Sequence, residues 1–286
     1  MIASPLATAA TWRPGFDLVL PSLAAAGQGW GEYPALAPIT RPALLTFAGQ
    51  QGAAPAPGAL GDALAQDREV VAALKDMTVA GTSDKFTFTF SCASTDATLG
   101  ALAPTDWALC GTAAWRGSAL AGATFALVLP PSNRSLLSTA HLQARLVEAL
   151  LAGAVPVILS TDLLLPYGEV VDWSRAAVLL PTQRVTELHF LLRTLHHSDV
   201  FAMKRQGRLI LQTYLSSPSA VLDTLVAVVR QRLTIPALPW TETPSPSVFN
   251  SSFTPKLMEH LPLEVTTCST FYLLYLQITT CTPGGA

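Results

Sequence analysis

Residues 125–159 constrain the fold more than any other part of the chain. Phe125 to Leu129 is a continuous apolar run, Leu142, Leu146, Val147, Leu150 and Leu151 recur at helical spacing, and Ala154 to Leu159 is apolar again. An unbroken apolar run suits a strand buried on both faces; the period between the runs suits a helix closed by Gly153. Strand, helix and strand in that order need a crossover, so the two strands lie parallel in one sheet. Other segments extend the pattern. Leu44–Phe47 reads as a buried strand and 50–61 as a loop. Asp62–Met77 reads as a helix, with Leu64, Val70, Val71, Leu74 and Met77 recurring. Phe86–Phe90 alternates as a strand, and Ala177–Leu180 is another. Helices follow over 185–197, 200–214 and 220–233. The expected class is α/β, a Rossmann-like parallel sheet with flanking helices. Such sheets bind ligands beyond the carboxyl ends of their strands, which makes the loop 130–141 the expected seat of an anion.

Three segments are expected: an irregular Ala/Pro/Gly-rich stretch over 1–40, a domain over 41–236, and a Pro/Ser/Thr-rich tail over 237–286. Charged residues make up 13% of the chain, against about 25% in an average domain, which excludes charge-driven disorder. Seventeen basic and nineteen acidic residues leave a net charge of −2, and no basic run occurs. Nucleic acid is therefore excluded as a partner. A mean hydropathy of +0.40 raises the question of a membrane span. Two long uncharged stretches, 117–133 and 265–286, are broken by Gly and Pro or rich in Thr, and neither reads as a span of about 20 apolar residues. Met1–Ala10 lacks Lys and Arg and is broken by Pro5, unlike a signal peptide, so the chain read literally would stay cytosolic.

Other signals disagree with a cytosolic reading. Cys92 and Cys110 flank a polar loop; they either form a disulfide in an oxidising lumen or remain two buried thiols. Asn133-Arg134-Ser135 and Asn250-Ser251-Ser252 are N-glycosylation sequons, of which about one is expected by chance. No C-x-x-C pair and no Asp-x-Asp occurs. His196-His197 with Asp199 lacks further ligands, so it reads as a helix cap and no metal site is expected.

Six stretches occur in order: Arg13-Pro14-Gly15-Phe16-Asp17; Asp106-Trp107-Ala108-Leu109-Cys110-Gly111; Arg145 through Glu148 to Leu159; Leu165-Pro166-Tyr167 through Glu169 to Asp172-Trp173; Arg184 to Arg193; and Met203 to Arg208 with Tyr214. Together, over residues 11–236, they resemble the exostosin glycosyltransferases, family 47, most closely the exostosin-like 3 branch. The resemblance implies the C-terminal Rossmann half of a GT-B type enzyme. It implies a UDP-sugar donor, a glycosaminoglycan (heparan sulfate) acceptor and no required cofactor or metal. It also implies residence in the endoplasmic reticulum or Golgi lumen, oligomers with other exostosins, and membrane attachment only through an anchor absent from this chain, which is read as a partial one. In the resembled branch the family-47 domain is suspected of being silent.

The resemblance puts Glu148 on the nucleotide ribose, as an acceptor-only carboxylate suited to two hydroxyls, and Arg145 on the diphosphate. The plain alternative is an Arg–Glu pair that holds a helix in place. Polymerising exostosins carry a Gly/Arg-rich loop before this helix; here it is Pro130-Pro131-Ser132-Asn133-Arg134-Ser135, with Arg134 its only cation. Prolines remove N–H donors, which speaks for a weakened donor site. Glu169 and Asp172 serve either as acid/base groups or as caps of the next turn with Trp173 beneath. Arg13 with Asp17 reads as a structural turn, and Arg205 with Arg208 as a helix surface or a contact for acidic glycan. A second function class stays open: a non-catalytic scaffold or dimerisation domain that supports a partner glycosyltransferase.

Overall fold

A parallel sheet dominates the computed structural model, which describes residues 3–22, 35–52, 61–79, 85–100, 102–103 and 105–234. The expected tail over 237–286, with Asn250, lies outside these residues. Three two-residue strands come first: β1 (Ala3–Ser4), β2 (Ala7–Thr8) and β3 (Leu18–Val19). The sheet itself consists of β4 (Ala43–Gln51), β5 (Lys85–Thr89), β7 (Ala123–Val128), β9 (Val155–Ile158) and β10 (Val178–Leu179), in the order β10-β9-β7-β4-β5. All these neighbours pair in parallel; β6 (Trp107–Leu109) pairs antiparallel with the carboxyl end of β4, Gly49 opposite Leu109. Helix α1 (Gly61–Val79) joins β4 to β5, α2 (Ala113–Ala121) precedes β7, and β8 (Leu136–Ser138) with α3 (Ala140–Leu151) joins β7 to β9. Helices α4 (Leu188–Thr194), α5 (His197–Tyr214) and α6 (Pro218–Arg232) follow. Two compact units divide the chain, 1–221 and 222–286, the second described only to Thr234.

The apolar run in β7 has the cause assigned to it. Its alternate residues face opposite ways, and both faces are covered. Phe125, Leu127 and Leu129 share a core with Val70, Leu74 and Met77 of α1, whereas Val128 joins Leu142, Leu146 and Val147 of α3. Each such side chain contributes about 1.5–3 kcal/mol by leaving water. The α3 helix spans the residues the periodicity predicts. Gly153, at φ +65°, ends it: its N–H donates to Leu150 O at 3.0 Å, and that of Ala154 to Ala149 O at 2.9 Å. That pattern needs a left-handed residue, hence glycine.

Other elements depart from expectation. The segment 1–40 is not wholly irregular, because β1 pairs with β3 and β2 with β8. Such short strands leave no periodicity to read; their partners create them. β4 runs on through Gly49 to Gln51 because β6 completes its ladder. The stretch 117–133 divides between the end of α2, β7 and a loop. A Thr112 cap starts α2, its hydroxyl accepting from Trp115 N. The helix expected from Val185 begins at Leu188, after a 3-10 turn over 182–187. No helix among the described residues is long and apolar enough to cross a membrane.

Candidate functional site

The chain leaves β4 toward β5 on one side of the sheet and then builds β7, β9 and β10 on the other. This reversal puts a topological switch point at the carboxyl ends of β4 and β7, where open α/β sheets hold their ligands. The loop 129–139 leaves β7 there, and Thr139 caps α3 by accepting from Leu142 N at 3.1 Å. Free N–H groups on that loop would make an anion site. Four of them are already engaged. Ser132 N donates to Thr105 O at 3.1 Å and Asn133 N to Thr105 Oγ1 at 3.1 Å. Ser135 N donates to Asn133 Oδ1 at 3.0 Å and Leu136 N to Asn133 O at 2.9 Å. Pro130 and Pro131 have no N–H to offer. Trp107 of β6 closes the same place, with Nε1 on Pro130 O at 3.1 Å.

Two buried carboxyl groups also lie beside this loop. Asp67 of α1 is 6% exposed and accepts from Gln51 Nε2 at 2.8 Å and from the Ser132 hydroxyl. Burial pushes its carboxyl above the ordinary range, against the pull of Ser132, Arg134 and Gln51. Asp106, 1% exposed, accepts from Trp107 N at 2.8 Å, and its Oδ2 faces His141 Nδ1 at 3.8 Å. Burial raises Asp106, opposed by Thr139, the Trp107 N–H, Arg145 and His141, and burial lowers His141 in turn. Both carboxyl groups are thus buried behind the loop, and the exposed cation Arg134 acts on Asp67 from the same loop.

Arg145, which the resemblance puts on the diphosphate, is occupied by main-chain carbonyls. It is 5% exposed, donates from Nη2 to Ala48 O at 3.1 Å and Ala108 O at 3.2 Å, and lies 4.9 Å from the Phe47 ring centroid. Its planar fork ties β4 to β6 beneath the crevice. Gly49 makes room for it, since a Cβ there would fall 2.7 Å from Arg145 Nη2. Burial lowers Arg145 to about 10, opposed by Asp106 and Glu148.

Glu148 points away from Arg145's partners and pairs with Arg116 of α2. Arg116 Nε donates to both Glu148 oxygens at 3.1 and 2.9 Å, and Nη2 to Oε1 at 2.6 Å. Arg116 also reaches Asp96 Oδ2 at 2.8 Å and the carbonyls of Cys110 and Gly111 at 3.1 and 2.8 Å. The three side chains are 5 to 10% exposed. A disulfide between Cys92 and Cys110, Cα atoms 5.2 Å apart, keeps the Asp96 segment against β6. The triad borders a cavity of about 490 Å³ lined by Arg41, Leu99, Ala113, Gly117, Ala144 and Leu151. Neither Arg116 nor Asp96 carries a sequence signal for this role; the one hint is that the two cysteines bring their segments together.

Desolvation pushes Asp96 up, but hydrogen bonds from the Thr98 hydroxyl and N–H and the charge of Arg116 outweigh it and hold the carboxyl at about 2. A depressed acid adds stability above its unfolded value near 3.8 and loses it as pH falls toward about 2. Urea midpoints measured between pH 4 and 2 are expected to fall less steeply for Asp96→Asn than for the parent, since the amide takes up no proton.

Of the remaining candidates all but Arg134 lie elsewhere. Arg134 is exposed on the loop after β7. Asp172 caps the turn at Trp173, accepting from Ser174 N at 3.1 Å and Arg175 Nε at 3.2 Å, and Trp173 is buried beneath with Nε1 on Pro166 O. Glu169 and Asp172 border a second hollow of about 580 Å³, with Trp12 and Leu165. Arg13 grips Asp17 through Nε and Nη2 at 3.2 and 2.9 Å. His196 caps α5 through Nδ1 on Ser198 N. Arg205 and Arg208 lie on α5. Among the described residues no cluster of His, Cys, Asp or Glu could hold a metal ion.

Comparison with known proteins adds the family. The model described as Exostosin GT47 domain matches residues 1–195. Exostosin-like-3 homolog of Caenorhabditis elegans is 38% identical over 108 residues, covering 38% of this chain and 13% of its own length. Exostosin-like 1 of Mus musculus is 30% identical over 162 residues, 57% of this chain and 22% of that protein. Exostosin-2 of Homo sapiens is 31% identical over 91 residues, 32% of this chain and 13% of that protein. The chain thus spans less than a quarter of these relatives. A solved structure described as "Crystal structure of GtfA/B complex" matches 76% of this chain and 40% of its own, with a TM-score of 0.36 and 14% identity, too distant to bear on function.

Proposed function

The chain belongs to the exostosin GT47 family, and we propose that it serves heparan sulfate assembly as a glycosyltransferase-family domain whose own donor position is closed. The carrying observation is the switch point, where four loop N–H groups are spent on Thr105 and Asn133, Pro130 and Pro131 have none, and Trp107 closes over Pro130. In this reading the domain is the C-terminal Rossmann half of a GT-B architecture. UDP-sugar and glycosaminoglycan are handled by the assembly it belongs to, and other exostosins are its partners. A lumenal setting, in the endoplasmic reticulum or Golgi, is supported by the Cys92–Cys110 disulfide, since such bonds persist in oxidising compartments.

A second reading is an active UDP-sugar transferase. The observation in its favour is Glu148, which borders the 490 Å³ cavity, a volume in the range of small-ligand pockets. Calorimetry separates the two. UDP titrated to millimolar concentration is expected to give no saturable heat. Saturable binding would overturn the closed donor position, and its loss in a folded Glu148→Ala variant would place the nucleotide at Glu148.

A further inference from the structure

We propose that Asn133 carries an N-linked glycan, which roofs the switch-point crevice from outside. The inference rests on the lumenal setting proposed above, and its own support is geometric. Asn133 sits in a tight turn just beyond Ser132, half-exposed, with Arg134 and Ser135 exposed beside it. Ser135 donates to Asn133 Oδ1 through both its N–H, at 3.0 Å, and its hydroxyl, at 2.8 Å. A backbone N–H only donates, so this bond settles which end of the amide is the oxygen. Nδ2 is the other end, and no described hydrogen bond engages it. The turn is anchored through the main chain, by Asn133 N on Thr105 Oγ1 and Leu136 N on Asn133 O. The folded chain therefore keeps its shape without the amide nitrogen, which is the atom a glycan takes. The residue between Asn133 and Ser135 is arginine, as the acceptor sequence allows.

The covalent step needs a lipid-linked oligosaccharide diphosphate. Asn133 Nδ2 forms a bond to the anomeric carbon, and the bond from that carbon to the diphosphate oxygen breaks. The diphosphate leaves with the electron pair, and the proton lost from Nδ2 passes to solvent. The product stands on the loop that leaves β7, beside Arg134. A nucleotide sugar approaching the carboxyl edge of the sheet would meet the glycan before the sheet. The crevice filled from inside by Thr105 and Trp107 is then closed from outside as well.

The test is the full chain routed through the endoplasmic reticulum of cultured animal cells, digested, and the peptides across 133–135 weighed before and after peptide N-glycosidase. The expected result is a peptide heavier by an N-glycan core, which the glycosidase removes while leaving an aspartate where the asparagine stood; the added mass is lost in both Asn133→Gln and Ser135→Ala and retained in Ser135→Thr. A bare peptide from protein whose Cys92 and Cys110 are joined would overturn the proposal and leave the lumenal reading standing. A bare peptide with both cysteines recovered as thiols would overturn both. Two removing variants that act on different residues keep the outcome readable if one of them fails to fold.

Discussion

Arg116→Ala is expected to lower the stability of the domain by about 3 kcal/mol, because removing one member of a buried ion pair strands the others. The guanidinium serves four acceptors at once: both carboxylates and the carbonyls of Cys110 and Gly111. Its side chain is 5% exposed, so water cannot take over. Glu148 and Asp96 would face each other across an apolar wall with no cation between them. Loss of Glu148 alone is expected to cost less, about 1–2 kcal/mol, since Arg116 keeps Asp96 and two carbonyls. The check is the urea midpoint at neutral pH for Arg116→Ala, Glu148→Gln and the double variant. If the triad is one unit, the double variant is less destabilised than the sum of the singles. Strict additivity would show that the two side chains act independently.

The second large effect concerns Arg145. Arg145→Leu is expected to cost about 3 kcal/mol or more. The substitution leaves the Ala48 and Ala108 carbonyls without a donor and takes the neighbouring positive charge from buried Asp106. It also removes the cation that lies on Phe47. This outcome discriminates between roles. An arginine held for a diphosphate is a liability in the empty protein, and its removal leaves stability unchanged or raised. An arginine that ties β4 to β6 shows the opposite. Thermal and urea unfolding in the absence of nucleotide therefore decides the matter without any ligand, and a neutral Arg145→Leu would return the residue to the donor site.

Arg145 and Glu148 illustrate how far spacing carries. Their separation by three residues places them near one another on a helix, and α3 forms over the residues its apolar period marks out. Spacing says nothing about which neighbour each side chain meets. Glu148 turns to Arg116, 32 residues away, and Arg145 to carbonyls 37 and 97 residues away. The proline-rich loop after β7 was legible as a poor phosphate cradle, because a missing N–H is written in the residue type. That Thr105 takes the N–H groups of Ser132 and Asn133 was not, since Thr105 is brought to them only by the pairing of β6, three residues long and without any period of its own.

The sequence by itself determined the parallel sheet, the helix behind β7 and the glycine that ends it. Those follow from local periodicity and from backbone conformations open to one residue type. The switch point, the Arg116 triad and the burial of Asp67 and Asp106 were decided by tertiary structure alone. A charge or a hydrogen-bonding group takes whichever partner lies within about 3 Å once water is gone, and that distance is set by how the sheet orders its strands, not by their order along the chain.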